Sequence, residues 1–112
     1  VSDDANSGVF PRCSDPKKID QMNAYEVNIF DKRPDQSYRT GAIVDVAKPL
    51  AVINTGGKWN TIDVTARGPR MTVLINGQKM VDVQDNKHQG GPIALQYGAG
   101  TVKFKNVKLR TL

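Results

Sequence analysis

The chain has 112 residues, 38% of them hydrophobic and 24% charged, with a formal net charge of +5. That size supports one hydrophobic core and so a single domain over residues 1–112, with too much apolar content for a disordered chain and no apolar run long enough to span a bilayer. Sixteen Lys and Arg side chains are interleaved with eleven acids, so nucleic acid is not an expected partner, and the lone Cys13 excludes an internal disulfide or a cysteine-built zinc knuckle.

Short stretches of period-two patterning recur about every ten residues, bounded by Gly, Pro, Asn or Asp, and no segment sustains a helical period. Residues 7–13 form the first expected strand, with Pro11 marking an edge position or a strand end. Residues 24–31 form a stronger one, placing Tyr25, Val27 and Ile29 on one face and Glu26, Asn28 and Phe30 on the other. Residues 38–47 alternate Ala42, Val44 and Val46 with Gly41, Ile43 and Asp45, and residues 48–58, which hold Pro49 and Gly56-Gly57, read as a packed loop. In residues 59–67 an apolar row of Ile62, Val64 and Ala66 opposes Thr61, Asp63 and Thr65.

The clearest element follows. Residues 70–75 and 78–83 flank Asn76-Gly77, the two-residue signature of a type I′ hairpin. Counting out from that turn puts Ile75 opposite Gln78, Val73 opposite Met80 and Met71 opposite Asp82. Residues 92–97 and 101–109 complete the pattern, the last with a phase slip that predicts a bulge at Lys105 or Asn106. Seven or eight such strands predict an all-β fold, an antiparallel sandwich or jelly roll.

Chemistry-bearing residues are sparse. Arg12, Glu26 and Asn28, with Gln96 as a neighbour, are a candidate cleft for sugar hydroxyls or, equally, a polar outer sheet face. Glu26 is the best carboxylate for acid or base work, with Asp31, Asp45 and Asp63 as candidate companions. His88, the only histidine, lies in a loop at residues 84–91 and is expected to be exposed to solvent. Asp3, Asp4 and Asn6 form a loose oxygen-rich cluster better read as an acidic terminus than as a calcium site, and no cofactor or metal is expected. The glycine pairs Gly56-Gly57 and Gly90-Gly91 do not introduce a helix and imply turns, not a phosphate cradle.

A run of motifs carries a resemblance: Asn6-Ser7-Gly8-Val9-Phe10-Pro11-Arg12, Tyr25-Glu26-Val27-Asn28-Ile29-Phe30-Asp31, Tyr38-Arg39-Thr40-Gly41-Ala42-Ile43, Trp59-Asn60-Thr61, Val73-Leu74-Ile75-Asn76-Gly77-Gln78-Lys79 and Val102-Lys103-Phe104-Lys105-Asn106-Val107. In this order they resemble the 3-keto-disaccharide hydrolase domain family, which has a concanavalin A-like jelly roll. The resemblance implies an extracellular or periplasmic, carbohydrate-active domain of hydrolase type, with a non-catalytic carbohydrate-binding or adhesion module as the alternative. It implies Glu26 as the catalytic acid or base, Arg12 and Asn28 orienting the substrate on a concave face, and Asp31 and Arg39 flanking it. Two positions depart from the family: Asn28 stands where glutamine is frequent, and Val44 where an aromatic is frequent. The family also has strands before its Asn-Ser-Gly motif, so an incomplete sandwich completed by a homodimer or a strand from a partner is expected.

Overall fold

A computed structural model describes residues 1–110; residues 111–112, the end of the expected single domain, lie outside the described residues. Two antiparallel three-stranded sheets share a core. The first has the order β2-β1-β6, from β1 (Asn6–Phe10), β2 (Val27–Ile29) and β6 (Ala94–Ala99), and the second has the order β3-β4-β5, from β3 (Ile62–Arg67), β4 (Arg70–Ile75) and β5 (Gln78–Gln84). Among the described residues the only helical element is a 3-10 turn at Gln36–Tyr38, capped by the Asp35 carboxylate accepting from Ser37 N. The expected all-β sandwich is therefore the observed one.

Period-two alternation sets what meets between the sheets. Val27 on β2 and Val9 on β1 pack against Met71, Val73 and Ile75 of β4, with Tyr25, Ile43, Met80 and Val81 completing the cluster. The expected apolar row Ile62, Val64 and Ala66 lines up with Ile75, Val73 and Met71 and joins that core at its margin. A smaller cluster, Phe10 with Cys13, Ala24 and Ala94, lies where residues 11–24 close against the first sheet.

Three expectations are corrected. The hairpin turns where predicted, with Asn76 and Gly77 both at positive φ (52° and 79°) and Ile75 opposite Gln78. One residue further the register shifts, so Val73 faces Val81 and not Met80, and Met71 faces Val83 and not Asp82. The bulge has a packing reason: it lets the adjacent Met80 and Val81 both turn inward, which strict alternation forbids.

Residues 38–47 do not form a strand. After the 3-10 turn, Gly41 takes φ 93° against the Met80 side chain and Asp45 takes φ 61°, leaving only a short pairing with β2 through the Val27–Ile43 bridge. Residues 101–109 also form no strand. Asn106 bends the chain there at φ 53°, and alternation without a neighbouring strand has no ladder to join.

Candidate functional site

The outer face of the first sheet carries the candidate site, and its rows follow from register. Gly8 pairs with Asn28 on one side and Gln96 on the other, so these side chains project from the same face. Counting on from the Val27–Val9 and Val27–Ile43 pairs sets Glu26 between Phe10 and Val44, in the next row of that face. Val44 N donates to Glu26 O at 2.9 Å, which holds this row in place.

Glu26 is half-buried, and its carboxyl is pushed above the ordinary carboxylate range, first by desolvation between its apolar neighbours and then by the negative charge of Asp45. Asp20 adds to that push, and the Arg33 cation works against it. Asp45 is held by Tyr38, whose hydroxyl donates to Oδ1 at 3.0 Å, and the Arg33 guanidinium lies 5.3 Å from the Tyr38 ring centroid and 5.7 Å from that of Phe30.

Asn28 is 4% exposed. Its Nδ2 donates to Tyr38 O, while its Oδ1 is buried without a donor. Across Gly8, Gln96 Oε1 is also buried and without a donor. A Cβ on Gly8 would lie 3.1 Å from that oxygen and 3.0 Å from Val27 O, so a side chain there would press on the Gln96 amide and the β2 backbone. Two unsatisfied acceptors in one row are costly in a folded protein unless water or a donor-rich ligand meets them.

The remaining expected site residues are placed elsewhere or occupied. Arg12 has φ 55°, and its guanidinium donates to Gly68 O at 2.6 Å and His88 O at 3.3 Å, in a cavity of about 270 Å³ shared with Asp85 and Gln89. Its charge is not among those acting on Glu26. Asp31 accepts from Thr40 Oγ1 (2.5 Å), Thr55 N (2.6 Å), Thr55 Oγ1 (2.8 Å) and Gly56 N (2.9 Å), fastening residues 55–56 to the end of β2. Arg39 Nε donates to Arg33 O at 2.7 Å and steadies the loop that carries Arg33.

His88 corrects an expectation. It is 6% exposed, with its ring edge-on to Tyr25 at 5.0 Å between centroids, because the Tyr25 hydroxyl donates to Asp85 Oδ1 at 2.6 Å and draws the loop inward. Burial lowers its pKa, which favours the neutral imidazole. Asp3 pairs with Lys32 at 2.9 Å, and Asp4 accepts from Ser2 Oγ at 2.6 Å. Among the described residues, no three His, Cys, Asp or Glu side chains converge to hold a metal ion. Sequence reasoning missed Arg33 altogether, since a lone arginine in a loop has no periodic signal.

Comparison with known proteins places the family and the fold. The model of a family described as the 3-keto-alpha-glucoside-1,2-lyase-like domain matches residues 1–110. Two solved structures of Parabacteroides distasonis proteins described as glycosyl hydrolases are similar in fold. One, at 2.00 Å resolution, is 26% identical with a TM-score of 0.66, and the match covers 74% of this chain and 46% of that one. The other, at 1.70 Å, is 19% identical with a TM-score of 0.65, covering 75% and 44%, so the chain spans less than half the length of either. No curated protein matches the chain.

Proposed function

Because the chain belongs to the family of 3-keto-alpha-glucoside-1,2-lyase-like domains, we propose that it is a carbohydrate-active domain in which Glu26 moves the proton during cleavage of a 3-keto-glucoside. The carrying observation is the position of the half-buried Glu26, one row from Asn28 and Gln96 on the same sheet face, where burial and the charge of Asp45 raise its pKa. A carboxyl tuned upward keeps its proton to a higher pH and is a stronger base once ionised. In a 3-keto sugar the carbonyl acidifies the C2 hydrogen, so a base that removes it expels the C1 substituent. In hydrolysis the same carboxyl protonates the departing oxygen, and Asp45 is the second carboxylate. Gln96 swings off Gly8 to admit the sugar, and Asn28 Oδ1 and Gln96 Oε1 accept from its hydroxyls.

Turnover of a 3-keto-disaccharide tests this reading. Glu26→Gln is expected to lower kcat/KM by about 10²-fold or more with an unchanged melting temperature; a folded Glu26→Gln protein with full activity would overturn it. In heavy water, deuterium appearing at C2 of the remaining substrate marks reversible proton abstraction, and a C1–C2 unsaturated product distinguishes elimination from hydrolysis. The pH–rate limb of Glu26 should lie above the ordinary glutamate range and move down in Asp45→Asn, which removes a raising charge.

The same reading includes association. The chain pairs with a second copy through β6, an edge strand whose Leu95 and Tyr97 are 41% and 69% exposed.

A further inference from the structure

One basic feature of the sequence plays no part in the Glu26 site. Trp59, the only tryptophan, is 55% exposed beside an open cleft of about 340 Å³ whose walls include Gly57 and Lys58 on one side and Thr101 and Lys103 on the other. Hydrogen bonds from Gly57 N to Val1 O (2.8 Å), Ser2 N to Thr101 O (2.9 Å) and Thr101 N to Ser2 Oγ (2.9 Å) tie the walls together. The Lys105 ammonium lies 4.1 Å from the Trp59 ring centroid. None of the described residues lining the cleft is acidic. Of the nearest acids in sequence, Asp3 is paired with Lys32, while the Asp4 carboxylate accepts from Ser2 at the edge of the cleft.

We propose that this cleft is a second, non-catalytic binding site for an acidic glycan carrying carboxylate or sulfate groups. An indole offers a flat apolar platform for the C–H face of a pyranose, and the Lys105 ammonium against the ring holds its orientation. The ammonium groups of Lys58, Lys103 and Lys105 outnumber the nearby Asp4 carboxylate, leaving a net positive field that an anionic sugar neutralises and a neutral sugar does not. Single-stranded nucleic acid also uses stacking and lysines; the choice of glycan rests on the carbohydrate reading above. The site shares no residue with the charges that act on Glu26, so it holds the protein on a polymer while leaving the outer sheet face free.

Trp59 reports its own occupancy, because no other tryptophan contributes to fluorescence. Glu26→Gln protein, which removes turnover from the readout, is titrated with polygalacturonate, chondroitin sulfate, dextran and oligothymidylate. A saturable change with polygalacturonate or chondroitin sulfate is expected; a response to polygalacturonate shows that carboxylate suffices, and desulfated chondroitin, which keeps its carboxylates, tells whether sulfate is needed. Dextran should give none, and added salt should weaken the response. The Lys58→Gln/Lys103→Gln double variant changes two exposed side chains, keeps the reporter, and should bind about tenfold more weakly. No response to either acidic polymer, equal affinity for dextran, tighter binding of oligothymidylate, or unchanged affinity in the double variant would each overturn the proposal. Failure here leaves turnover by Glu26 untouched, and failure of turnover leaves acidic-glycan binding to be judged on this titration.

Discussion

At the scale of single residues, the same kind of side chain does opposite work according to what its backbone places around it. Glu26 meets apolar neighbours and a like charge, so its carboxyl holds its proton more tightly. Asp31, five residues on, meets four donors from Thr40, Thr55 and Gly56, and its job is to fasten a loop. Asp31→Asn can keep one oxygen on the Thr55 and Gly56 backbone donors but turns an NH2 toward the Thr40 and Thr55 hydroxyls, which must reverse from donating to accepting, and it removes the charge that strengthens all four bonds. Its expected cost is about 2 kcal/mol, read from the urea midpoint. Any activity lost in that variant should return when substrate is assayed well below the transition, which a substrate-binding role would not allow. The shared outward face of Glu26 and Asn28 was legible in alternation alone. The position of Arg12 was not, because its φ of 55° swings the side chain toward Gly68 and His88, and no periodic pattern encodes a left-handed residue other than glycine.

Among the elements, the hairpin β4-β5 shows how far local signals reach. Asn76-Gly77 set the turn and the first pair. The register beyond was decided by the core, which accepts both Met80 and Val81 only if one extra residue bulges. The shifted register places Asp82 opposite Thr72, within reach of Arg70 (Nη2 to Oδ2, 2.8 Å) and Lys79 (3.2 Å). Those two cations hold Asp82 at a pKa of about 2, below its ordinary 3.8. A depressed carboxylate adds stability that is complete above its unfolded pKa and fades as pH falls through the folded one. Stability should therefore decline between about pH 4 and pH 2, and Asp82→Asn should flatten that acid limb in thermal melts. The bend at residues 41–45 has a parallel cause: a Cβ on Gly41 would lie 2.8 Å from the Met80 side chain, at a φ of 93°. Gly41→Ala is expected to cost more than about 1 kcal/mol, measured by denaturant unfolding.

For the molecule as a whole, the apolar surface left outside the two sheets sets its behaviour in solution. Ile93, Leu95 and Tyr97 around β6, and Phe104, Val107 and Leu109 beyond it, are all exposed. Side chains of this type at a sheet edge favour pairing with another chain. Light scattering should show mass rising with concentration, and Leu95→Lys with Tyr97→Lys should return the protein to monomer; a strict monomer at high concentration would contradict the pairing. What the amino-acid order determined by itself is the class of fold, the inward rows of Val27, Val73 and Ile75, the hairpin turn and the outward face of Glu26, because alternation and turn chemistry act between near neighbours. Only the tertiary structure decided the bulge at Met80, the burial of His88 behind Tyr25, the carboxylate and arginine around Glu26, and the turn of Arg12 toward Gly68 and His88. Each of these depends on contacts between segments far apart in the chain, whose spacing is set by packing and not by local preference.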